Sequence, residues 1–541
     1  VTTGVGDVQV SGNGSGGNQT TFNLVLTAAN PSRDVTVHAV DDGTVEATEA
    51  FTIETGDPTS TDTGYNALGA ADAADVTGNV LDNDAAAIIV EPITSATGVT
   101  LLTSELGHKD TFRVRLGSAV VGEVTVTITG ANANEGSLSP ATPLVFNNTN
   151  AQTFQTVTVT GLDDPITADT ADVSYTLTLT STNTGANVAD AAYVGLTASV
   201  HVVNVDTEGL SMPPGGTGQT APTATPGIPL GGAGAFNEFE TTDPAVIQKA
   251  GPTFEMWMRG RSKSGVKQDA IGFSSSTTVP PASGWSTPFE VLSGNSGIDW
   301  VRRGVGRPSV VLGNFDNDVP FVTPDTYLLF YSGRFAGDYD GIHYTTSSDG
   351  FSGFVLSGAP AFAPSGVAGD FDEVRVTDPC VIFDEAADVF HMWYTAVDAN
   401  GLEQIGYATA PLSGGVPGTW TRQNINATTP ALAVGAAGRF DADGVSAPAV
   451  VFDGTTYHMW YTGFDALRGR KTIGYAGSTN PADFSTGRFP LPVIVPDATG
   501  TAPWSDANVF APAVVKDGTL YRIWYSGDGS GGAGIGYVEG N

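Results

Sequence analysis

Apolar and polar residues alternate at period two through the N-terminal part of the chain, in short runs closed by Gly, Asn or Asp. TFRVRLGS from Thr111, GEVTVTITG from Gly122, QTVTVTGL from Gln155 and DVSYTLTLTST from Asp172 all follow this rule. Such alternation predicts half-buried antiparallel strands, with one face on a core and the other in water. Further along, the pattern changes to a longer sentence: a proline, an apolar strand, a tight turn, an aromatic pair, then Ile-Gly-Tyr or a close variant. It is written five times, from TDPAVI at Thr242, GRPSVV at Gly306, TDPCVIF at Thr377, SAPAVVF at Ser446 and FAPAVVK at Phe510. The repeated prolines are Pro244, Pro308, Pro379, Pro448 and Pro512, a spacing that suits one four-stranded propeller blade with its loops. Five copies predict five blades.

The N-terminal part also repeats. DVTVHAVDDG from Asp34, DTGYNAL and NVLDND match TVTVTGLDDP from Thr156, DAAYVGL and VVNVD. The expected class is therefore all-β: two tandem β-sandwiches (residues 1–87 and 88–208), a Pro/Gly/Thr linker (209–235) and a five-bladed propeller (236–541). The second sandwich has a full set of leading strands before the shared part and the first does not, so the first is expected to be incomplete. A sandwich short of strands leaves an apolar face and an open edge. Either residues 1–20 close it, upstream sequence once did, or a neighbouring subunit donates a strand and the protein self-associates into a filament or sheath.

At 541 residues the chain is too long for one core. Its halves differ in composition: all eight Trp lie after residue 250, whereas residues 1–207 hold four Lys or Arg against twenty-four Asp or Glu. The net charge of -35 argues against nucleic acid, which needs a positive stripe. Cys380 is the only cysteine, so no internal disulfide forms, and it reads as a small buried hydrophobe. No run is long and apolar enough for a membrane span. Few Lys and abundant Thr, Gly and Asn suggest an extracellular or cell-surface protein.

The N-terminal segments, with their Val-Thr-Val strand, Asp-Asp turn, Asp-x-x-Tyr element and closing Asn-x-Asp, resemble Calx-β-type repeats of bacterial surface proteins and adhesins over residues 20–207. That resemblance implies calcium between the acidic loops. The residues expected to hold it are Asp41, Asp42, Glu46 and Asp84 in the first repeat, and Asp163, Asp164, Asp169 and Asp206 in the second. Calcium takes six to eight oxygens, and crowded carboxylates repel unless a cation screens them. No self-contained Asp-x-Asp-x-Asp-Gly loop is present, and a solvated acidic turn is the plainer alternative.

Inner strands of a propeller line its channel, so the residues before the repeated prolines should converge: Asp243, Arg307, Asp378, Ala447 and Ala511. Glu373, Asp443 and Asp506 come slightly earlier in their blades. Blade number, the Pro-x-Val strand and the Trp-Tyr strand resemble the arabinanase, levansucrase and invertase superfold of glycoside hydrolases and the related mannoside phosphorylases. That resemblance implies an Asp base on the first blade, which Asp243 matches, and a second Asp tuning pKa values, which Asp378 could match. It also implies a Glu acid on a middle blade. Here the corresponding steps read Thr377-Asp378-Pro379, Ser446-Ala447-Pro448 and Phe510-Ala511-Pro512, and Glu373 is the nearby Glu. Loss of a general acid costs typically 10²- to 10⁴-fold.

Trp393, Trp460 and Trp524, repeated around the ring, are expected to be inter-blade core, while Trp300 and Trp504 lie where an indole could stack on a sugar. Arg307, Asp443 and Asp506 complete the expected ligand-binding set. The reading is a modular surface protein whose propeller binds a glycan or surface polysaccharide, or serves as a structural head, without catalysis. A glycoside hydrolase or phosphorylase using Asp243, Asp378 and Glu373 is the alternative from another class.

Overall fold

The computed structural model describes the chain except residues 1, 4–7, 13–17, 42, 44, 46, 70–71, 92–98, 106–108, 141–142, 163–171, 184–187, 206–226, 229, 233–234, 263–268, 280–281, 295–296, 299–300, 302, 316–324, 335–338, 424–428, 437–438, 467–468, 497–501 and 541. The described residues are all-β, and their helical elements are short 3-10 turns such as Pro503–Ser505. The chain divides into two compact units, Val1–Thr207 and Glu208–Asn541.

In the first unit the alternating segments from residue 88 onward make a sandwich. One sheet orders Gly136–Ser139, Gln155–Gly161, Lys109–Leu116 and Ile88–Glu91. The other orders Leu144–Asn147, Glu123–Thr129, Val173–Asn183, Thr197–Val205 and Val99–Ser104. Period two does what it predicts: Phe112, Val114 and Leu116 point inward to meet Val157, Val159, Leu177 and Leu179, all fully buried. The Asp-x-x-Tyr element pins a turn of this sandwich. Asp190 accepts the N–H groups of Val121 and Gly122 at 3.0 and 2.7 Å, and the Tyr193 hydroxyl accepts the Ser118 N–H at 3.0 Å.

Residues 1–87 carry two small sheets, Thr2–Thr3 with Glu49–Glu54 and Val76–Val80, and Val8–Gly12 with Val35–Ala39. Their described core is correspondingly small, centred on Val10, Phe22 and Ile53. Repeat positions that are buried in the second copy stand in water in the first. Tyr65 is 65% exposed where Tyr193 is 1% exposed, and Val37 is 41% exposed where Val159 is fully buried.

The second unit is a ring of five antiparallel meanders. Their inner, middle and third strands are Glu240–Gln248, Phe254–Arg261 and Asp269–Ser276 in blade 1, then Gly304–Gly313, Thr326–Arg334 and Tyr339–Ser347 in blade 2. Blade 3 is Arg375–Asp384, Val389–Val397 and Glu403–Ser413; blade 4 is Gly444–Phe452, Tyr457–Asp465 and Arg470–Ser478; blade 5 is Asn508–Asp517, Leu520–Gly529 and Gly532–Gly540. Each inner strand touches the next, and the fifth returns to the first. Trp257, Trp393, Trp460 and Trp524 are fully buried or nearly so between blades, and the Trp393 Nε1–H donates to the Pro481 carbonyl at 2.8 Å. In the Ile-Gly-Tyr motif the glycine makes room for an aromatic ring: a Cβ on Gly406 would lie 2.3 Å from Cζ of Tyr394. Cys380 accepts the Val450 N–H at 3.2 Å, and burial pushes its thiol up to about 11.

The isoleucine of that motif pairs with a segment on the outer side of each blade's third strand. Ile271 pairs Leu292, Ile342 pairs Phe362, Ile405 pairs Leu432 and Ile473 pairs Ile494. In blade 5 the partner of Ile535 is Ile228, from ahead of blade 1, and the Gly227 N–H donates to the Ile535 carbonyl at 2.8 Å. The end of the segment expected to be linker is thus the outer element of the last blade. Composition could not reveal this, because one buried isoleucine among Pro, Gly and Thr has no periodicity.

Ile228→Asp should open this closure and lower the unfolding free energy of the propeller by at least about 3 kcal/mol, through a lost apolar contact and a buried carboxylate. Tryptophan fluorescence in a guanidinium titration isolates this unit, since all eight Trp lie beyond residue 250.

Candidate functional site: the central channel

Each inner strand is irregular at the same place. Pairing with the middle strand shifts between Thr242 and Ala245, Gly306 and Ser309, Thr377 and Cys380, Ser446 and Ala449, and Phe510 and Ala513. Two residues, the second a proline, oppose one on the middle strand, which is a β-bulge. Proline costs nothing there, because the bulge removes the ladder bond its missing N–H would have made. The residue before it adopts the left-handed region: φ is 52° at Asp243, 55° at Arg307, 50° at Asp378, and 47° at Ala447 and Ala511. Non-glycine residues there store of order 1–3 kcal/mol each and persist only where surroundings dictate the conformation.

The surroundings are the previous blade. The Asp243 N–H donates to Ser526 Oγ at 2.8 Å, Asp378 to Ser332 Oγ at 3.1 Å, Ala447 to Thr395 Oγ1 at 2.8 Å and Ala511 to Thr462 Oγ1 at 2.9 Å. At the junction of blades 1 and 2 the hydroxyl position is Arg259, which has donors and no acceptor. Its guanidinium turns to the acids instead. Nε donates to Asp243 at 2.6 Å, while the terminal nitrogens reach Glu240 and, at 3.7 Å, the fully buried Asp269. Arg261 and Arg334 also pair with Asp269, at 2.8 and 2.9 Å. Three carboxylates therefore share three guanidiniums.

Asp243, Arg307, Asp378, Ala447 and Ala511 line one cavity with their prolines, as the repeat predicts. Its volume is about 30 Å³. Arg307 donates to Asp378 Oδ2 at 2.7 Å and to Thr377 Oγ1 at 2.9 Å. Burial raises the Asp378 carboxyl above the ordinary carboxylate range; Arg307 opposes this, and the charges of Asp243 and Glu403 add to it.

The other expected site residues stand apart from that cavity. Glu373 accepts the Gly369 N–H at 3.0 Å and faces a separate pocket with Asp370 and Asp398. Asp443 is exposed and accepts the Ala466 N–H at 2.9 Å, and Asp506 accepts the Ser530 N–H at 2.8 Å. The bulge delivers only the residue next to the proline into the channel; residues further upstream lie on the loops that feed the strands. Trp504 is corrected more sharply. It is 4% exposed, stacks on Tyr525 at 6.0 Å and fills the space above Gly536, so it offers no platform to a sugar. Trp300 lies outside the described residues.

In the first unit Asp41 and Asp84 line one pocket with Glu49 and Asp82. Asp42, Glu46, Asp163, Asp164, Asp169 and Asp206 lie outside the described residues. Among the described residues no group of three or more His, Cys, Asp or Glu side chains is placed to hold a metal ion. Nor is any helix there long and apolar enough to cross a membrane.

Sequence reading missed Arg259, Asp269 and Glu403. Arg259 was detectable: at the same register the other four blades carry Ser332, Thr395, Thr462 and Ser526.

No protein-family model matches the chain. Two uncharacterized proteins of Mycobacterium tuberculosis, one from each of two strains, are 30% identical over 187 residues, which is 33% of this chain and 54% of theirs. The chain thus spans about half the length of the curated relatives it matches. Among solved structures, a glycoside hydrolase is 17% identical with a TM-score of 0.45, covering 59% of this protein and 92% of that one. The α-L-arabinofuranosidase PaAbf62A from Podospora anserina is 13% identical with a TM-score of 0.42, covering 61% and 98%. A thermostable family-43 glycoside hydrolase is 15% identical with a TM-score of 0.39, covering 58% and 92%. These likenesses are too distant to assign an activity.

Arg259→Thr should cost about 3–5 kcal/mol, because it leaves the buried Asp243 carboxylate without its guanidinium. Adding Asp243→Ala, which gives blade 1 the residue of blades 4 and 5, should recover part of it in the same denaturation experiment.

The folded chain holds the Asp378 proton to higher pH than the unfolded chain does. The stability this proton contributes is complete below the unfolded pKa of about 4 and is lost as pH rises through the folded value. Asp378→Asn should abolish that loss, so the variant gains on the wild type as pH rises above about 4; a difference that stays constant with pH would contradict it.

Proposed function

We propose that the propeller is a non-hydrolytic head of a modular extracellular surface protein, carried by the β-sandwich unit. One observation carries this reading: the carboxylates that reach the channel are each held by a guanidinium, Asp243 by Arg259 and Asp378 by Arg307, around a cavity of about 30 Å³. Glycosidic cleavage needs two carboxyl groups across a sugar, about 5–10 Å apart, one kept protonated and the other free to act on the anomeric carbon or on water. Blades 4 and 5 bring alanine, not a carboxyl group, to the channel. The Lys-poor composition, rich in Thr, Gly and Asn, supports a surface location.

A second reading is favoured by a single feature. Asp378 is biased toward its neutral form beside Asp243, and carboxyl groups pushed apart in pKa are how glycosidases assign acid and partner. On this reading Asp378 protonates a leaving oxygen while Asp243 acts opposite.

Incubation with arabinan, mannan and fructan oligosaccharides from pH 4 to 8 separates the two. The non-hydrolytic reading expects no reducing sugar above background. Turnover that disappears in both Asp243→Ala and Asp378→Asn would overturn it.

A further inference from the structure

The sandwich unit carries a face whose chemistry the propeller reading does not use. In residues 88–207 the basic residues are Lys109, Arg113 and Arg115, and all three lie on one strand, Lys109–Leu116. They share its outward parity with Thr111, while Asp110, Phe112, Val114 and Leu116 are buried. The neighbouring strand continues the face with hydroxyls: Thr156 stands opposite Arg113 and Thr158 opposite Thr111.

The two arginines are pre-positioned. Their guanidinium carbons lie 4.5 and 5.3 Å from the centre of the same Phe154 ring, and each is fixed at one point, Arg113 to Glu91 at 2.8 Å and Arg115 to the Leu116 carbonyl at 3.0 Å. Stacking on an aromatic face orders the planar fork before a ligand arrives, so less entropy is lost on binding. The Arg113 side chain is still 53% exposed. A guanidinium has five donors, of which these contacts use a few.

We propose that this face binds an acidic polysaccharide, with Arg113 and Arg115 holding sugar carboxylates and the threonine hydroxyls meeting ring hydroxyls. Arginine suits planar carboxylate recognition, and alternate strand residues stand about 7 Å apart, which spreads the two forks along an extended chain. A protein partner fits less well, because the face lacks the large apolar anchor on which stable protein interfaces centre. Nucleic acid fits less well still, since it draws on many phosphate contacts and only three cations stand here. The net charge of -35 does not forbid the interaction, because at physiological salt charges beyond about 8 Å are largely screened. The proposal stands whether or not the propeller hydrolyses sugars.

The test uses the full chain, with polygalacturonate as the carboxylated probe, dextran as the neutral one and heparin as a sulfated one, followed by affinity electrophoresis and calorimetry at 50 and 300 mM salt. Binding to polygalacturonate that weakens with salt, is absent for dextran and drops at least about tenfold in Arg113→Ala/Arg115→Ala supports the proposal. Arg113→Lys/Arg115→Lys, which keeps the charge and loses the fork, should fall between them, and Lys516→Ala on the propeller should bind like the wild type. Unchanged melting excludes misfolding of the variants. No binding to polygalacturonate at low salt, or equal binding by the double alanine variant, overturns the proposal. So does binding to heparin alone, or salt-sensitive self-association that the same double variant removes, which would assign the face to a second copy.

Discussion

The propeller depends on a hydrogen bond repeated around its axis: a bulged backbone N–H, held in the left-handed region, donates to a hydroxyl of the preceding blade. This contact joins blade to blade where their inner strands are closest. It also explains the repeated X-Pro step. The bulge needs a residue that accepts positive φ, then one that needs no ladder N–H, and the hydroxyl repays an amide that would otherwise be buried unpaired. The residue ahead of the proline then has its side chain aimed at the axis.

The ring breaks its own rule once. Between blades 1 and 2 an arginine replaces the hydroxyl, and its buried guanidinium must find acids. Asp243, Glu240 and Asp269 answer it, with Arg261 and Arg334 balancing the sum. The acids of this junction are therefore matched to guanidiniums. What remains near the axis is Asp378, itself paired with Arg307.

The sandwich unit obeys simpler physics. Strict alternation separates a core of Val, Leu and Phe from a face of Thr, Ser and Arg, and the acids of the Asp-x-x-Tyr element serve as backbone acceptors at a turn. The same pattern in residues 1–87 leaves Tyr65 and Val37 in water, because fewer strands stand over them. Similar local sequence can thus give buried or exposed side chains according to how many strands cover it.

Much was legible in the chain. Period-two alternation marked the strands, and the repeated sentence gave the blades and the five residues that meet at the axis, since these depend on local spacing. The repeat of Trp393, Trp460 and Trp524 foretold core, for a residue recurring on every blade faces the same neighbour each time. Pairings between distant residues were not legible. Asp243 and Ser526 are 283 residues apart, and Ile228 meets Ile535 across the whole ring. Only closure of the ring brings them together, and only closure decides which acids are neutralised, which are left on loops like Glu373 and Asp443, and that Trp504 lies under a glycine-lined sheet. Sequence determined the period and therefore the strands and blades; tertiary structure decided the charge partners, because burial forces each ionised group to find one in whatever element stands beside it.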